Sequence, residues 1–430
     1  MTKIFSTRAD WRVIFFTTMI FFMRFTPCAA GSELDAAEIR LACAICSMGA
    51  YSDDEGYLMR SMLTTRGWQI EKLSRKNNLA DAKAYLASKG DVKILAIAGT
   101  ESLKDVEVDF RLGRVQLNGN TALDAKEKHS GDKLFVHRGF RDYADVVLGD
   151  GLAERLKASL AQNPRETLYL TGHSLGGSVA TIVGIRLTDS GVSKAQLKVM
   201  SFGAMAVGSK ALAAAYDGKL DLTRVVVKGD VVKKSLRALG YVQFGNALEY
   251  RQSATSDHLE HKMAVYLDCA IRDYFAAGGT FNHEAKTKND AAIYAAPIIV
   301  VEDCLHKDDA KIILPALNDS LTNHFSNLIL APTRSVELDE DKIADEDFDE
   351  YVAAARNLGC KYVLIRILNA QKIRDAKAGE KLVTLEEIIL NDKGIPLFMQ
   401  TSGASTENLT VLEAALAAQE TLTLSLFPAL

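Results

Sequence analysis

Proline and cysteine are scarce in this sequence, 7 and 6 among 430 residues. With so little proline, and only 29 glycines, there is no collagen-like or low-complexity tract, and no internal repeat is found. Six cysteines in a chain of this length do not make a disulfide scaffold. Positive charge is not in excess either: 51 Lys and Arg against 55 Asp and Glu leave a net charge of −4, without the basic footprint that nucleic acid requires of a main partner. The apolar run at residues 13–23, VIFFTTMIFFM, is too short to span a bilayer comfortably.

What is present fits a globular protein with an ordinary core, 48% hydrophobic and 25% charged, and a length that favours two domains over one. Lys3, Arg8 and Arg12 precede the apolar run, and Cys28, Ala29, Ala30 and Gly31 follow it. That order is the signature of a signal peptide over residues 1–30, cleaved near Ala30, and places the protein outside the cytoplasm, secreted or in the cell envelope. Arg24, between core and cleavage site, leaves an uncleaved anchor open. Of the five later cysteines, Cys43 and Cys46 lie in an apolar helical stretch and are expected to be buried free thiols. Cys304 and Cys360 are candidates for a disulfide across neighbouring strands.

Residues 167–187, TLYLTGHSLGGSVATIVGIRL, organise the chain. A β-rich run meets Gly172-His173-Ser174-Leu175-Gly176, and a small-residue helix pattern follows at once. Strand, sharp turn and helix are the context that a G-x-S-x-G nucleophile elbow demands, with glycines on either side of the serine permitting the bend. Ser174 would stand at a helix N-terminus, where unpaired N–H groups favour a developing negative charge. Further on, the β-prone residues 222–227 run into Gly229 and Asp230, placing a carboxylate on a turn just past a strand.

The string Gly172-His173-Ser174-Leu175-Gly176-Gly177 resembles the class 3 lipase family, α/β-hydrolases that include fungal triacylglycerol lipases. Other stretches resemble it as well: Gly99-Thr100 at the end of the strand at 92–98, Val136-His137-Arg138-Gly139-Phe140, residues 202–208 with Met205 where the family has proline, and His261 with Met263 and Tyr266 in the pattern H-x-M-x-x-Y. The resemblance covers residues 35–270. It implies an α/β-hydrolase sheet, mostly parallel and flanked by helices, and a triad of Ser174, Asp230 and His261 in the chain order that fold uses. It also implies an oxyanion hole from Thr100 and the Leu175 N–H. His258 is the competing histidine, off register and expected to be exposed; His137 is expected to make a structural hydrogen bond. The reaction so implied is cleavage of carboxylic esters through an acyl-enzyme, with a lipid or ester substrate, an interface as one setting for it, and no cofactor or metal. In the family a mobile lid occupies the interval corresponding to 102–133, but here its alternation of apolar and charged residues suits a plain β-hairpin equally.

Elsewhere, residues 34–51 and 57–63 read as helices, 68–73 as a strand, 81–89 as a helix, and 151–162 as an amphipathic helix leading into the elbow strand. The hydrolase domain is assigned to residues 31–276 and a polar linker to 277–290. A smaller C-terminal α/β domain follows at 291–430. Its strands are expected at 297–301, 328–331, 362–368, 382–390 and 395–400, and its helices over Ile313, Leu317, Leu321 and Phe325, over Phe348 to Leu358, and over 409–426. In element order it resembles the N-terminal domain of the translocation protein TolB and curli-secretion lipoproteins, which implies an accessory role with an envelope partner. Two other functions remain open: a deacylase or thioesterase on soluble acyl substrates, and an idle hydrolase fold serving as an envelope scaffold.

Overall fold

The structure, a computed structural model, describes residues 27–51, 54–65, 67–76, 80–99, 113–117, 134–234, 236–253, 258–279, 292–322, 325, 327–332, 335–343, 348–373 and 379–426. The expected signal segment up to residue 26, the interval 118–133, most of the 277–290 linker and Thr100 lie outside them.

The first sheet has seven strands: β1 (Gln69–Lys76), β2 (Asp81–Lys89), β3 (Val92–Ile97), β6 (Thr167–His173), β7 (Leu197–Phe202), β8 (Asp221–Val227) and β9 (Asn246–Tyr250), adjacent in that order. The β1–β2 and β2–β3 pairs are antiparallel, and every pair from β3 to β9 is parallel. A short antiparallel pair, β4 (Arg114–Gln116) with β5 (Phe135–His137), stands apart.

Alternate side chains of a strand point to opposite faces, and β3 shows this plainly. Ile94 and Ala96 enter one core, Leu95 and Ile97 the other. On the first face lie helices α1 (Pro27–Gly49), α2 (Asp54–Thr65) and α7 (Met263–Ala276). On the second lie α3 (Arg138–Val147), α4 (Leu152–Gln162), α5 (Leu175–Asp189) and α6 (Lys210–Tyr216). A mostly parallel sheet covered by helices on both sides is the expected α/β-hydrolase arrangement.

The second sheet also has seven strands. β10 (Ile293–Ala295) and β11 (Ile298–Val301) pair in parallel with successive parts of β14 (Tyr362–Lys372), and β12 (Leu328–Leu330) and β13 (Ser335–Leu338) flank them. On its other side β14 pairs with β15 (Lys381–Asn391), which turns back as β16 (Pro396–Ser405). Helices α8 (Lys307–Thr322), α9 (Asp349–Asn357) and α10 (Val411–Leu426) complete this C-terminal unit. The larger core does not stop at the boundary between the units. It runs from Ala37 and Cys43 in α1, through Tyr266 and Ile271 in α7, to Leu317 in α8 and Leu412 in α10.

Three expectations are corrected. Residues 81–89 form strand β2, not a helix. Their helix-prone alanines, leucine and lysines are overridden by pairing on both edges, with β1 and with β3. Cys304 and Cys360 do not pair: all five cysteines beyond residue 30 are free and buried. Cys304 follows the C-terminal end of β11 and Cys360 precedes the N-terminal end of β14; because those strands are parallel, the two thiols sit at opposite ends of the sheet. Helix α8 ends at Thr322, before Phe325. Among the described residues no helix is long and apolar enough to cross a membrane.

Candidate functional site

Strand β6 lies in the middle of the first sheet and ends at His173, and α5 starts at Leu175. Ser174, alone between them, has φ 55° and ψ −119°, a backbone conformation that a residue with a Cβ seldom adopts. The surroundings hold it there. Its N–H donates to the Phe202 carbonyl at 2.9 Å, and its carbonyl accepts from the Ser178 N–H at 3.2 Å. The turn closes this tightly because Gly176 has no side chain: a Cβ there would lie 2.1 Å from the Ile97 carbonyl oxygen.

His261 comes from the loop between β9 and α7, and Asp230 from the turn that ends β8. Both reach the serine's end of the sheet, the carboxyl end of its parallel strands, where open α/β sheets carry their sites. Ser174 Oγ lies 3.0 Å from His261 Nε2, and His261 Nδ1 lies 2.9 Å from Asp230 Oδ2. A carboxylate can only accept, so Nδ1 carries the proton and Nε2 accepts from the serine hydroxyl. Asp230 is buried. Its Oδ1 accepts from the Val232 N–H at 2.8 Å, and its Oδ2 takes a further, short hydrogen bond from the Tyr266 hydroxyl. Burial by itself raises the Asp230 pKa, but the hydrogen bond and charge of His261, with Tyr266 and the Val232 N–H, outweigh it and hold the carboxyl below its usual range. Tyr266 is shifted the other way, its hydroxyl kept protonated by burial and by Asp230.

A second histidine, to which the motif assigned no role, completes the arrangement. His173 immediately precedes Ser174. One ring nitrogen, Nε2, is 2.7 Å from the His261 carbonyl oxygen, and the other, Nδ1, is 2.7 Å from the Tyr51 hydroxyl. Since the carbonyl must accept, Nε2 donates and Nδ1 accepts from Tyr51. Burial, and after it the neighbouring His261, push the His173 pKa down to about 3, so the ring stays neutral. The two imidazoles lie 4.7 Å apart, centroid to centroid. His173 therefore grips the backbone of the residue whose side chain faces Ser174.

The remaining expected residues fall as follows. Leu175 is buried at the first turn of α5, where its N–H has no intrahelical acceptor. Thr100 is outside the described residues. His137 is buried in β5 with its ring against Phe140, centroids 4.2 Å apart, and burial lowers its pKa to about 4. His258, expected to be exposed, is part-buried instead: its Nε2 donates to the Leu409 carbonyl at 2.7 Å. Among the described residues no group of three or more His, Cys, Asp or Glu side chains converges as a metal site would.

Residues 94–238 match the family model described as Lipase (class 3). Among curated proteins, a Penicillium cyclopium secreted mono- and diacylglycerol lipase A is 35% identical over 123 residues, 26% of this chain and 40% of that protein. A Caenorhabditis elegans lipase is 40% identical over 76 residues, 17% of this chain and 22% of that protein. The chain thus spans less than half the length of either relative. Among solved structures, a Yarrowia lipolytica lipase superposes with a TM-score of 0.41 at 21% identity, over 50% of this chain and 78% of that one. Within the matched residues lie the last four residues of β3, the Ser174 turn and Asp230, while His261 falls beyond them. The first sheet and its helices have the α/β-hydrolase arrangement, and over residues 94–238 this chain is similar to the class 3 lipases.

Proposed function

We propose that this protein is an exported serine hydrolase that cleaves carboxylic esters, with Ser174 as nucleophile, His261 as general base and acid, and Asp230 as the acid that orients it. The observation that carries this reading is the continuous hydrogen-bonded chain from Ser174 Oγ to His261 to Asp230, at 3.0 and 2.9 Å, on a serine with a positive φ. In the reaction, Ser174 Oγ bonds to the ester carbonyl carbon as its proton passes to His261 Nε2. The Leu175 N–H, with Thr100 as its partner, receives the oxyanion. Collapse breaks the bond to the leaving oxygen, which takes the proton from Nε2. Water, deprotonated by the same nitrogen, then attacks the acyl-enzyme to release the acid and restore Ser174. Asp230 stays ionised throughout and stabilises the imidazolium.

Similarity to class 3 lipases and to a mono- and diacylglycerol lipase supports a lipid ester, acylglycerol or phospholipid, as substrate. Export with cleavage near Ala30 fits the charge and apolar pattern of the first 30 residues. The TolB-like or curli-lipoprotein-like reading of residues 291–430 supplies attachment to an envelope partner. The test is labelling by a fluorophosphonate probe, with turnover of p-nitrophenyl esters of two chain lengths. Ser174→Ala should lose labelling, and both Ser174→Ala and His261→Ala should lose at least about 10⁴-fold in kcat. A folded wild type that neither labels nor turns over either ester would sink the proposal.

A further inference from the structure

The loop that presents His261 belongs to the first unit, yet the second unit holds it. Residues 258–262 have no strand or helix of their own. Within the loop, the Lys262 N–H donates to the Leu259 carbonyl at 2.9 Å, and Gln252 Nε2 donates to the His258 carbonyl at 2.7 Å. Its outer contacts go to the segment between β16 and α10. His258 Nε2 donates to the Leu409 carbonyl at 2.7 Å, and Lys262 Nζ donates to the Glu407 carbonyl at 3.1 Å. These two anchors bracket His261 in sequence, three residues before it and one after. On the other side, His173 grips the His261 carbonyl.

The segment that accepts these bonds is itself fixed. Thr410 and Glu413 form a capping box at the start of α10: the Thr410 N–H donates to Glu413 Oε2 at 2.7 Å and the Glu413 N–H to Thr410 Oγ1 at 3.3 Å. Thr410 Oγ1 also donates to Asp268 Oδ1 in α7, at 3.1 Å. Arg272 ties α7 to α8 through Asp268, at 2.6 Å, and Asp309, at 2.8 Å, both buried carboxylates. A part-buried guanidinium that is bidentate to one buried carboxylate and bonded to a second keeps a fixed geometry. The acceptors for His258 and Lys262 are therefore part of a rigid junction between α7, α8 and α10, not a free loop.

We propose that His258 and Lys262 are positioning residues, through which the C-terminal unit sets the place of His261 against Ser174. The proposal rests on the ester-hydrolase reading above, and it gives the C-terminal unit a part in the reaction beyond attachment. A displacement of the base by about 1 Å can cost about 100-fold in rate, so a loop released on one side affects chemistry more than substrate binding.

The experiment uses the full chain with His258→Ala, with His258→Ala and Lys262→Ala together, and with His258→Gln, whose amide N–H can occupy the place of Nε2. Two readings are taken: kcat and KM on a short, soluble p-nitrophenyl ester, and amide hydrogen exchange over residues 258–265 compared with α5. We expect kcat of His258→Ala to fall between about 10- and 100-fold with KM within about twofold. Exchange should rise in the loop and not in α5, the double variant should be worse, and His258→Gln should recover most of both. An active wild type whose His258→Ala variant keeps kcat within twofold overturns the proposal alone. So does a loss that His258→Gln shares in full, or an increase in exchange spread equally over α5. A wild type that takes no phosphonate and turns over no ester overturns the ester-hydrolase reading and this one with it.

Discussion

Asp230 accepts from His261, from Tyr266 and from the Val232 N–H, so removing one donor leaves a buried carboxylate short of a partner. Tyr266→Phe takes away the hydroxyl, which also accepts from the Val227 N–H at 3.2 Å. We expect a stability loss of about 1–3 kcal/mol and a drop of about tenfold in kcat/KM; chemical denaturation and steady-state kinetics measure the two, and an unchanged kcat/KM would remove Tyr266 from the machinery. His173 sets a pH dependence. Its folded pKa is about 3 against an ordinary 6.5, so between those values the unfolded chain binds a proton that the folded one refuses. Stability therefore falls as the pH is lowered through that window, by about 1.4 kcal/mol per unit from this group. Asp230, held below its ordinary 3.8, acts with the same sign at lower pH: its contribution is present above 3.8 and is lost as pH falls through the folded value. Denaturation at pH 7 and pH 5 should show a smaller difference in His173→Gln than in wild type; equal differences would mean that His173 titrates normally in the folded protein. At this scale the strings that carry Ser174, Asp230 and His261 were legible as candidates, because each has its own turn or register, and the structure brings those three side chains within hydrogen-bond reach. Tyr51 and the role of His173 were not: their partners lie 122 and 88 residues away, and no local pattern records such a pairing.

The β6–Ser174–α5 element depends on close approach of helix to sheet. A Cβ on Gly172 would lie 2.4 Å from the Gly176 carbonyl carbon, and one on Gly176 would meet the backbone of Ile97 and Ala98, at the end of the neighbouring strand β3, at 2.1 and 2.9 Å. These contacts are with backbone, which cannot swing aside. Gly176→Ala should therefore lower stability by about 1–3 kcal/mol or more, and should cost activity even where the fold survives, since relief moves α5 and the Leu175 N–H with it. Thermal unfolding beside ester turnover checks this, and a variant with wild-type values of both would show that the turn has slack. This element was readable because its sequence requirements are local: β-prone residues, two glycines, then small residues. β2 was misread because its residues favour a helix in isolation and become a strand only between β1 and β3. Five-residue β9, whose residues are largely exposed, and four-residue β13 carry too little periodicity to be found.

Over the whole molecule, two sheets share one apolar core from α1 to α10. Ile271, Tyr274, Leu317 and Leu412 belong to it together, so separating the units would expose apolar surface on both. We expect a single cooperative unfolding transition, followed in parallel by near-ultraviolet circular dichroism and by turnover of ester; two resolved transitions would show that the units are independent. A polar stretch at 277–290 followed by a fresh alternation of strands and helices was legible in the sequence as a candidate boundary. The junction was not, because it joins α7 to α8 and α10 through Arg272, Asp309 and Thr410, residues that read as ordinary helix surface and cap until they meet. The order of these parts along the chain is also an order in time. Leu409 follows His258 by 151 residues, so a chain emerging from the ribosome has made the Ser174 turn and the histidine loop long before it makes the segment that docks that loop. The loop that carries His261 thus gains its anchors at Glu407 and Leu409 only after the C-terminal unit has been made.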